Sequence, residues 1–285
     1  KVYFIARNEH LTNIRKNGLT LKTAADGELR CRPTYVSDDF NELPELDLCL
    51  ICVKSYDLGS VLDSLKPKIT KNTHVIPLLN GADIYERVRA VLPEGIVYPA
   101  CAYLGTHIEG PGIVAQNGGS CTIFFGRDPQ NPAVLPHQIF ELFDLAQIKY
   151  TWMEEPLQEI WSKYMFIAAY GLISASEDKT LGEILQTKTL SRHVIGIMEE
   201  IAAIVAREGI SLPETVVTNS YEKARMFPYE TKTSFQMDFE IIGMNDEREL
   251  YGDTIIKFGA KHDVNTPYTE LANSKLSKIK MTVGS

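Results

Sequence analysis

The stretch that most constrains the fold is an uninterrupted run of apolar residues at positions 48–53. The run is too short for an ordinary helix and too continuous for a strand with one solvated face, so it predicts a parallel strand that is buried on both faces. The next apolar residues recur at helical spacing, at Leu58, Val61, Leu62 and Leu65. A buried strand that leads into an amphipathic helix predicts a β-α-β unit of an open α/β sheet.

Two polar residues stand at the carboxyl ends of neighbouring predicted strands. Lys54 follows the first apolar run, and Asn80 follows the second run at residues 73–79, before another helical pattern. In open α/β sheets, ligands bind beyond the carboxyl ends of the strands. We therefore interpret Lys54 as a cation placed to meet an anionic ligand. The alternative is an ordinary exposed lysine at a strand end.

The composition restricts the class of protein. The chain has 285 residues, of which 44% are hydrophobic and 23% charged, so it can build a large core in one or two domains. The net charge of −8, without a cluster of Lys and Arg, argues against a nucleic-acid partner. No apolar run is long enough to cross a bilayer and no signal segment opens the sequence, so we expect a cytoplasmic protein with no membrane partner.

The five cysteines lie mostly in apolar runs, as reduced cytosolic thiols do. Cys49 and Cys52 have the C-x-x-C spacing of a redox pair or half a zinc site. On a strand, however, residues three apart point to opposite faces, which favours a role in the core. There is no H-E-x-x-H and the histidines are scattered, so no metal site is predicted.

The sequence opens inside a predicted strand at residues 1–7, and no G-x-G-x-x-G occurs in it. Either the fold is a different one, or it is a doubly wound nucleotide-binding fold whose first strand and glycine-rich turn are absent from these residues. We favour the second, because Arg7 ends a short strand where such a fold meets the adenosine ribose. An arginine there suits the 2′-phosphate of NADP, and a carboxylate would suit NAD. An ordinary surface arginine is the alternative.

The hydrophobic period changes along the chain. The first part contains a hairpin around Asp26-Gly27, a buried strand at residues 96–104, and strands at residues 113–116 and 121–125 that we expect to pair antiparallel. From Glu154 onward, helical patterns replace the short apolar runs. We predict an α/β Rossmann-like domain over residues 1–153 and an all-α domain over residues 154–285, with the substrate in a cleft between them.

Lys163 is the candidate chemical group of the helical part. It lies in the sequence Trp161-Ser162-Lys163-Tyr164, in a strongly apolar helical segment. Burial disfavours the charged form of a lysine and lowers its pKa, which makes it a competent proton donor near neutrality. The alternative is a lysine whose ammonium reaches solvent from an apolar helix.

Several fragments together resemble the ketopantoate reductase family (2-dehydropantoate 2-reductase). They are Phe4-Ile5-Ala6-Arg7 with Glu9-His10, Val53-Lys54-Ser55-Tyr56-Asp57, Leu79-Asn80-Gly81, Tyr103-Leu104-Gly105 with Gly110-Pro111-Gly112, Trp161-Ser162-Lys163, Leu181-Gly182-Glu183 and Thr233-Ser234-Phe235-Gln236. Their order and spacing carry the resemblance over essentially the whole chain.

The resemblance implies an N-terminal Rossmann domain that binds NADPH and a helical C-terminal domain. It implies an NADP-dependent oxidoreductase that transfers hydride to a small branched 2-keto acid. With ketopantoate as substrate, the product is pantoate for coenzyme A synthesis. Arg7 matches the contact with the 2′-phosphate. The sequence does not fix the oligomeric state, and a homodimer is compatible with it.

The resemblance also implies roles for five further residues. Lys163 matches the general acid that protonates the new alkoxide. Asn80 matches the residue that holds cofactor and substrate in register, and Lys54 lies beside the cofactor. Ser234 matches the serine that holds the substrate carboxylate, and Glu247 the acid that anchors substrate and positions the lysine. A developing alkoxide needs a nearby donor, which agrees with these roles.

The chain departs from the family at the substrate side. Two asparagines that often follow the lysine on successive helical turns are Ile167 and Gly171 here, which leaves the identity of the keto acid open. One extra residue precedes Glu247, so Asp246 and Glu249 remain alternatives to it. Two other functions stay open: reduction of a different small 2-keto acid, and a protein that binds NADPH as a ligand without catalysis.

Overall fold

The computed structural model describes residues 1–241 and 245–283. The chain divides into two compact units. The first contains Lys1–Cys52, Gly59–Leu78 and Tyr85–Glu154, and the second contains Val53–Leu58, Leu79–Ile84 and the chain from Glu155 onward. The two short segments of the second unit follow strands of the first. Lys54 and Asn80 therefore belong to the same unit as the helical part of the chain.

The chain before Glu155 forms the strands and several helices. In chain order these are β1 (Tyr3–Ile5), α1 (Asn8–Asn17), β2 (Leu19–Thr23), β3 (Gly27–Cys31), β4 (Tyr35–Ser37), β5 (Leu48–Ile51), α2 (Ser55–Leu65), β6 (His74–Pro77), α3 (Ile84–Val91), β7 (Ile96–Val97), β8 (Ala100–Tyr103), β9 (Thr106–Gly110), β10 (Ile113–Gln116), β11 (Thr122–Gly126), α4 (His137–Leu145) and β12 (Lys149–Met153). Parallel strands joined by helices confirm the α/β class expected for this part.

Two parallel sheets carry the nucleotide-binding type of topology. Strand β1 pairs with β4, and β5 pairs with β6, which pairs with β7. A doubly wound sheet has the strand order 3-2-1-4-5-6, in which the pair 3-2 and the triplet 4-5-6 flank the central strand. The pair β4-β1 and the triplet β5-β6-β7 of this chain correspond to these two groups. The prediction that residues 48–53 form a strand buried on both faces is wrong. Strand β5 stops at Ile51, and Leu50 is 41% exposed because β5 is an end strand among the described residues.

Two other strand predictions are corrected. The strand predicted at residues 96–104 is divided at Tyr98-Pro99 into β7 and β8, which belong to different sheets. Pro99 has no N–H to continue a ladder. Strands β10 and β11 do not pair with each other: β10 lies between β2 and β9, and β11 between β8 and β12. Gly118 and Gly119 have φ of 93° and 79°, and they carry the chain from one sheet to the other.

The hairpin around Asp26-Gly27 is confirmed, since β2 and β3 are antiparallel with Thr23 opposite Gly27. Helix α1 ends at Gly18, which has φ of 83°. A Cβ at this position would stand 2.5 Å from the carbonyl oxygen of Cys31. Both conditions require glycine.

The second unit is helical, as the sequence predicts. Its helices are α5 (Pro156–Glu177), α6 (Leu181–Gln186), α7 (Lys188–Arg207), α8 (Val216–Glu222), α9 (Ser234–Phe239), α10 (Thr254–His262) and α11 (Pro267–Val283). Helix α5 packs against α7, α9 and α11 and is buried at every residue from 168 to 176. None of the helices in the described ranges has the length and apolar character needed to cross a membrane.

Candidate active site

The amine of Lys163 is held by an amide. Helix α5 begins with Pro156, a residue favoured in the first helical turn, and buries Ile160 and Tyr164 on either side of the lysine along the chain. Lys163 is half-buried, and its Nζ donates a hydrogen bond of 2.7 Å to Oδ1 of Asn80. The structure therefore brings together two residues that the sequence placed on a helix and at a strand end.

The Asn80-Gly81 turn after β6 has a restricted conformation. Gly81 has φ of 135°, a region that residues with a side chain rarely adopt. A Cβ on Gly81 would stand 2.6 Å from Cδ1 of Leu250 and 2.9 Å from Cγ1 of Ile84. The turn can pack this closely only with glycine. This packing fixes the backbone position from which the Asn80 side chain extends.

Lys54 has a different environment from Lys163. Its Nζ donates hydrogen bonds to Asp238 and, at 3.4 Å, to Glu247. Burial by itself would lower the pKa of Lys54, but the attraction of Glu247 and the hydrogen bond to Asp238 outweigh it, so the pKa lies above its usual 10.5. Lys54 is thus a charged lysine with two carboxylate partners, rather than a cation waiting for an external anion.

Glu247 is the acid that the structure brings to this cluster. It is 4% exposed, and its Oε1 accepts a hydrogen bond of 3.1 Å from the backbone N–H of Ser55, the first residue of α2. A carboxylate at a helix N-terminus satisfies an N–H and interacts favourably with the helix dipole. The neighbouring Asp246 instead accepts from the backbone and side chain of Arg248, both at 3.0 Å.

Ser234 lies on the same face of α9 as the carboxylate that binds Lys54. Ser234 is the first residue of α9 and is exposed, and Asp238 follows four residues later. The preceding Thr233 fixes the start of the helix, since its Oγ1 accepts from the N–H of Gln236 at 3.1 Å and lies 2.7 Å from Oγ of Ser174.

Arg7 belongs to the first unit. It is exposed, follows β1 and precedes α1 with φ of −130° and ψ of 159°. Its position at the carboxyl end of a parallel strand is the one expected from the sequence. The other five predicted site residues belong to the second unit, which places their contacts within one compact body.

The two residues that replace asparagines lie along α5 after Lys163. Ile167 is half-buried, and Gly171 is buried. A Cβ on Gly171 would lie 3.5 Å from the side chain of Phe235, which is ordinary contact, so Phe235 occupies the space into which a longer side chain at position 171 would extend. Neither Ile167 nor Gly171 offers a hydrogen-bonding side chain.

Sequence reasoning missed two residues of the cluster. Asp238 could have been found, because its spacing of four from Ser234 on a short helix puts both on one face. Tyr251 could not, since it reads as an ordinary core aromatic. It is 1% exposed, and burial raises its pKa while a hydrogen bond with Asn80 lowers it.

Comparison with known families assigns the chain. Residues 1–130 match the family ketopantoate reductase PanE/ApbA, and residues 156–280 match the C-terminal domain of the same family. The chain therefore belongs to the ketopantoate reductase family. This confirms the resemblance predicted from the sequence, and with it the class of enzyme, an oxidoreductase.

Two relatives match most of the chain in sequence. The uncharacterized oxidoreductase YkpB of Bacillus subtilis is 25% identical over 256 residues, which cover 90% of this chain and 84% of the relative. The 2-dehydropantoate 2-reductase of Streptococcus pyogenes serotype M1 is 25% identical over 279 residues, or 94% of this chain and 87% of the relative.

Among solved structures, the PanE/ApbA family ketopantoate reductase of Ralstonia eutropha JMP134 has a TM-score of 0.88 at 24% identity, over 99% of this chain and 91% of that one. A D-mandelate dehydrogenase bound to NADH and anilino(oxo)acetate has a TM-score of 0.85 at 19% identity, over 99% and 92% of the two chains. These likenesses confirm the fold.

Proposed function

We propose that this protein uses NADPH to reduce a small 2-keto acid in the cytoplasm, with ketopantoate as the first candidate and pantoate as the product. The observation that carries the proposal is the hydrogen bond of 2.7 Å between Nζ of Lys163 and Oδ1 of Asn80. A half-buried ammonium on a neutral partner is suited to deliver a proton to an oxygen that gains negative charge.

Lys163 acts as the general acid of this reaction. Its Nζ carries the proton that neutralises the alkoxide formed at the keto carbon. Asn80 directs the amine through one hydrogen bond, which fixes the direction from which Nζ approaches the substrate oxygen. Because Asn80 is uncharged, it orients Lys163 without adding the attraction of a carboxylate for its proton.

Ser234 binds the substrate carboxylate, and Lys54 supplies a fixed positive charge nearby. The Ser234 hydroxyl is exposed on the first turn of α9, where it can donate to an anion. Asp238, on the same face of α9 as Ser234, accepts a hydrogen bond from Lys54. Lys54 keeps its charge because two carboxylates raise its pKa. In this proposal Lys54 contributes a fixed positive charge, and Glu247 holds that charge in place.

The donor set of the first unit fits a 2′-phosphorylated cofactor at one position. Arg7 offers an exposed guanidinium at the end of β1, and a planar array of N–H donors suits a phosphate. We assign Arg7 to the 2′-phosphate of NADPH. When bound, NADPH supplies the hydride for the keto carbon.

A second candidate is a 2-keto acid without the hydroxyl of ketopantoate. It is favoured by Ile167 and Gly171, which provide no hydrogen-bonding side chain after Lys163 on α5. A site built to hydrogen-bond a hydroxyl discriminates strongly against substrates that lack it, whereas an apolar site discriminates weakly. The NADH-bound D-mandelate dehydrogenase among the structural neighbours also makes NADH a comparison cofactor.

The test is oxidation of NADPH by the purified full-length protein with a panel of 2-keto acids. The panel contains ketopantoate and an isostere with a methyl group in place of its hydroxyl. A kcat/KM for ketopantoate far above the isostere supports the first candidate, and similar values support the second. NADPH binding without oxidation by any member would contradict both and support a cofactor-sensing protein.

The role of Lys163 is tested with the same assay. Replacement by alanine is expected to lower kcat by about 100-fold or more while NADPH still binds. Lys179→Ala is the matched control, because Lys179 lies just beyond the same helix and pairs with Glu183 at 2.8 Å. Turnover of Lys163→Ala equal to that of the control would contradict the assignment.

A further inference from the structure

One edge of the sheet β3-β2-β10-β9 is exposed along its whole length. Strand β3 (Gly27–Cys31) ends the order of this sheet, and all five of its residues are exposed. Strand β2 pairs with one side of β3, and no strand of the described chain pairs with the other side. An uncovered edge strand presents backbone groups that can pair with a strand of another chain.

The ladder between β2 and β10 shows which residues of β3 direct their backbone groups to the free side. The N–H of Thr20 in β2 donates a hydrogen bond of 2.9 Å to the carbonyl oxygen of the residue that precedes β10. Because these directions alternate along a strand, the next residue, Leu21, directs its N–H and C=O towards its partner Leu29 in β3. Glu28 and Arg30, on either side of Leu29, therefore direct their N–H and C=O to the free edge.

The side chains of β3 are complementary to a second copy of the same strand. When two copies pair antiparallel about a two-fold axis at Leu29, Glu28 of each chain lies directly opposite Arg30 of the other. The Glu28 and Arg30 side chains are 57% and 58% exposed, and within one chain they lie 3.8 Å apart. Opposite charges placed directly across two strands stabilise the pairing, whereas charges of one sign at an edge prevent it.

An apolar row lies on the other face of the same sheet. Strand pairing aligns Leu29, Leu21, Val114 and Ile108 across the four strands. Leu29 and Ile108 form the two ends of the row and are 47% and 67% exposed. Pairing about Leu29 brings the Leu29 side chains of the two chains into contact and removes apolar surface from water.

We propose that β3 is a dimerisation edge, and that its partner is β3 of a second copy of this chain. The two four-stranded sheets then form one sheet of eight strands. Glu28 and Arg30 exchange backbone hydrogen bonds across the axis, their four charges alternate in sign, and Leu29 meets its counterpart as a non-hydrogen-bonded pair. Since the two-fold axis closes the assembly, the product is a dimer rather than a filament. This inference does not depend on the reduction proposed above.

The opposite edge of the sheet, β9, is less suited to this pairing. Its central Ile108 is flanked by His107 and Glu109, which would also lie opposite each other in a two-fold pair. Glu109, however, already accepts a hydrogen bond from Lys22 of the same chain. Pairing through β9 is therefore the alternative that the experiments below must distinguish.

Charge reversal tests the pairing of Glu28 with Arg30. Sedimentation velocity of the full-length wild type over a concentration series is expected to show a monomer–dimer equilibrium. Glu28→Arg and Arg30→Glu each place like charges opposite each other twice, and each is expected to weaken the dimer by about tenfold or more. A mixture of the two variants restores both opposite-charge pairs and is expected to form a heterodimer as tight as the wild-type dimer.

Arg225→Glu is the matched control for Arg30→Glu. Arg225 is a similarly exposed arginine, 57% accessible, that pairs with Glu222 in the second unit, and its replacement changes the net charge by the same amount. It is expected to leave the dimer unchanged. The proposal would be overturned by a wild type that stays monomeric up to its solubility limit. It would also be overturned by a dimer that either reversal leaves intact, or by a mixture that forms no heterodimer.

Cysteine cross-linking tests the position of the two-fold axis. In a non-hydrogen-bonded antiparallel pair the Cα atoms are about 4.5 Å apart, a distance that a disulfide can span. Leu29→Cys is made in a Cys31→Ser background, which removes the exposed native thiol of β3, and is expected to form disulfide-linked dimers on mild oxidation. Ile108→Cys in the same background is the control on β9 and is expected to stay monomeric on a non-reducing gel. Cross-linking of Ile108→Cys in place of Leu29→Cys, or of neither variant, would overturn the proposal.

Discussion

Two lysines of the second unit, Lys163 and Lys54, differ in the groups that accept their hydrogen bonds. Lys163 donates to a neutral amide, whereas Lys54 donates to two carboxylates. A carboxylate stabilises the ammonium form and raises the pKa, as at Lys54, and an amide adds no net charge. In the proposed reaction, Lys163 releases a proton during each turnover and Lys54 remains charged throughout.

The difference teaches that an ammonium near a strand end need not be the group that meets the ligand. Lys54 was expected to face an anion, yet its nearest charges are Asp238 and Glu247 of the same unit. Its role in the proposed reaction is that of a charge held in position. The following predictions test this contrast, beginning with the largest effect.

Removing each lysine in turn should give different kinetic losses. Lys163→Ala is expected to reduce kcat by about 100- to 10,000-fold, which is the range for a lost general acid. Lys54→Met is expected to act mainly on the KM for the keto acid, because it removes a charge and no transferred proton. Steady-state kinetics of both variants provides the measurement. A larger fall of kcat in Lys54→Met than in Lys163→Ala would reverse the assignment.

A third cation extends the comparison to the first unit. Arg7→Asp should weaken NADPH binding by about 10- to 100-fold, because a charge-assisted contact with the 2′-phosphate becomes a repulsion. Its effect on NADH should be small. Titration of both cofactors measures the ratio. Equal losses for NADPH and NADH would contradict the assignment of Arg7 to the 2′-phosphate.

Glu247→Gln should loosen Lys54 without removing the hydrogen bond between Lys163 and Asn80. The glutamine retains the shape but removes the charge, and its amide nitrogen can face the ammonium, so the free energy of unfolding should fall by about 1 to 3 kcal/mol. Denaturant unfolding measures this loss. Glu240→Gln is the control, since the Glu240 side chain is 42% exposed and its pair with Lys232 should contribute only about 0 to 1 kcal/mol. Equal losses in the two variants would show that Glu247 holds no buried charge in place.

The smallest effect concerns alkaline pH. Because the pKa of Lys54 in the folded protein lies above its usual 10.5, its pairing stabilises the fold below pH 10.5, and this contribution is lost as the pH rises through the higher folded pKa. The Tm of the wild type should therefore fall more steeply than that of Lys54→Met above that pH. Parallel Tm curves would contradict the coupling.

The sequence could predict the residues that end apolar runs. Asn80 and Lys54 follow such runs, and Lys163 lies within one, so their elements and relative order could be inferred from periodicity. The division of residues 96–104 had a local signal in Pro99, which cannot donate to a ladder. The exposure of Leu50 had none, because sheet partners depend on contacts between strands far apart in the chain.

The same reason explains the parts of the site that were missed. The acid at position 247 was chosen by resemblance among three neighbours, and only the contacts with Lys54 and Ser55 distinguish it. Tyr251 has no local signal, since the rings that it packs against, Tyr164 and Phe235, are distant in sequence. Such tertiary contacts, rather than composition, define how the candidate donor is directed.

The most direct test of which lysine gives up the proton is the pH dependence of kcat/KM in the wild type and in Lys54→Met. If Lys163 is the donor, the fall in rate on the alkaline side persists in Lys54→Met at a similar pH, with lower values throughout. Disappearance of that alkaline fall when Lys54 is replaced would contradict the account and make Lys54 the titrating acid.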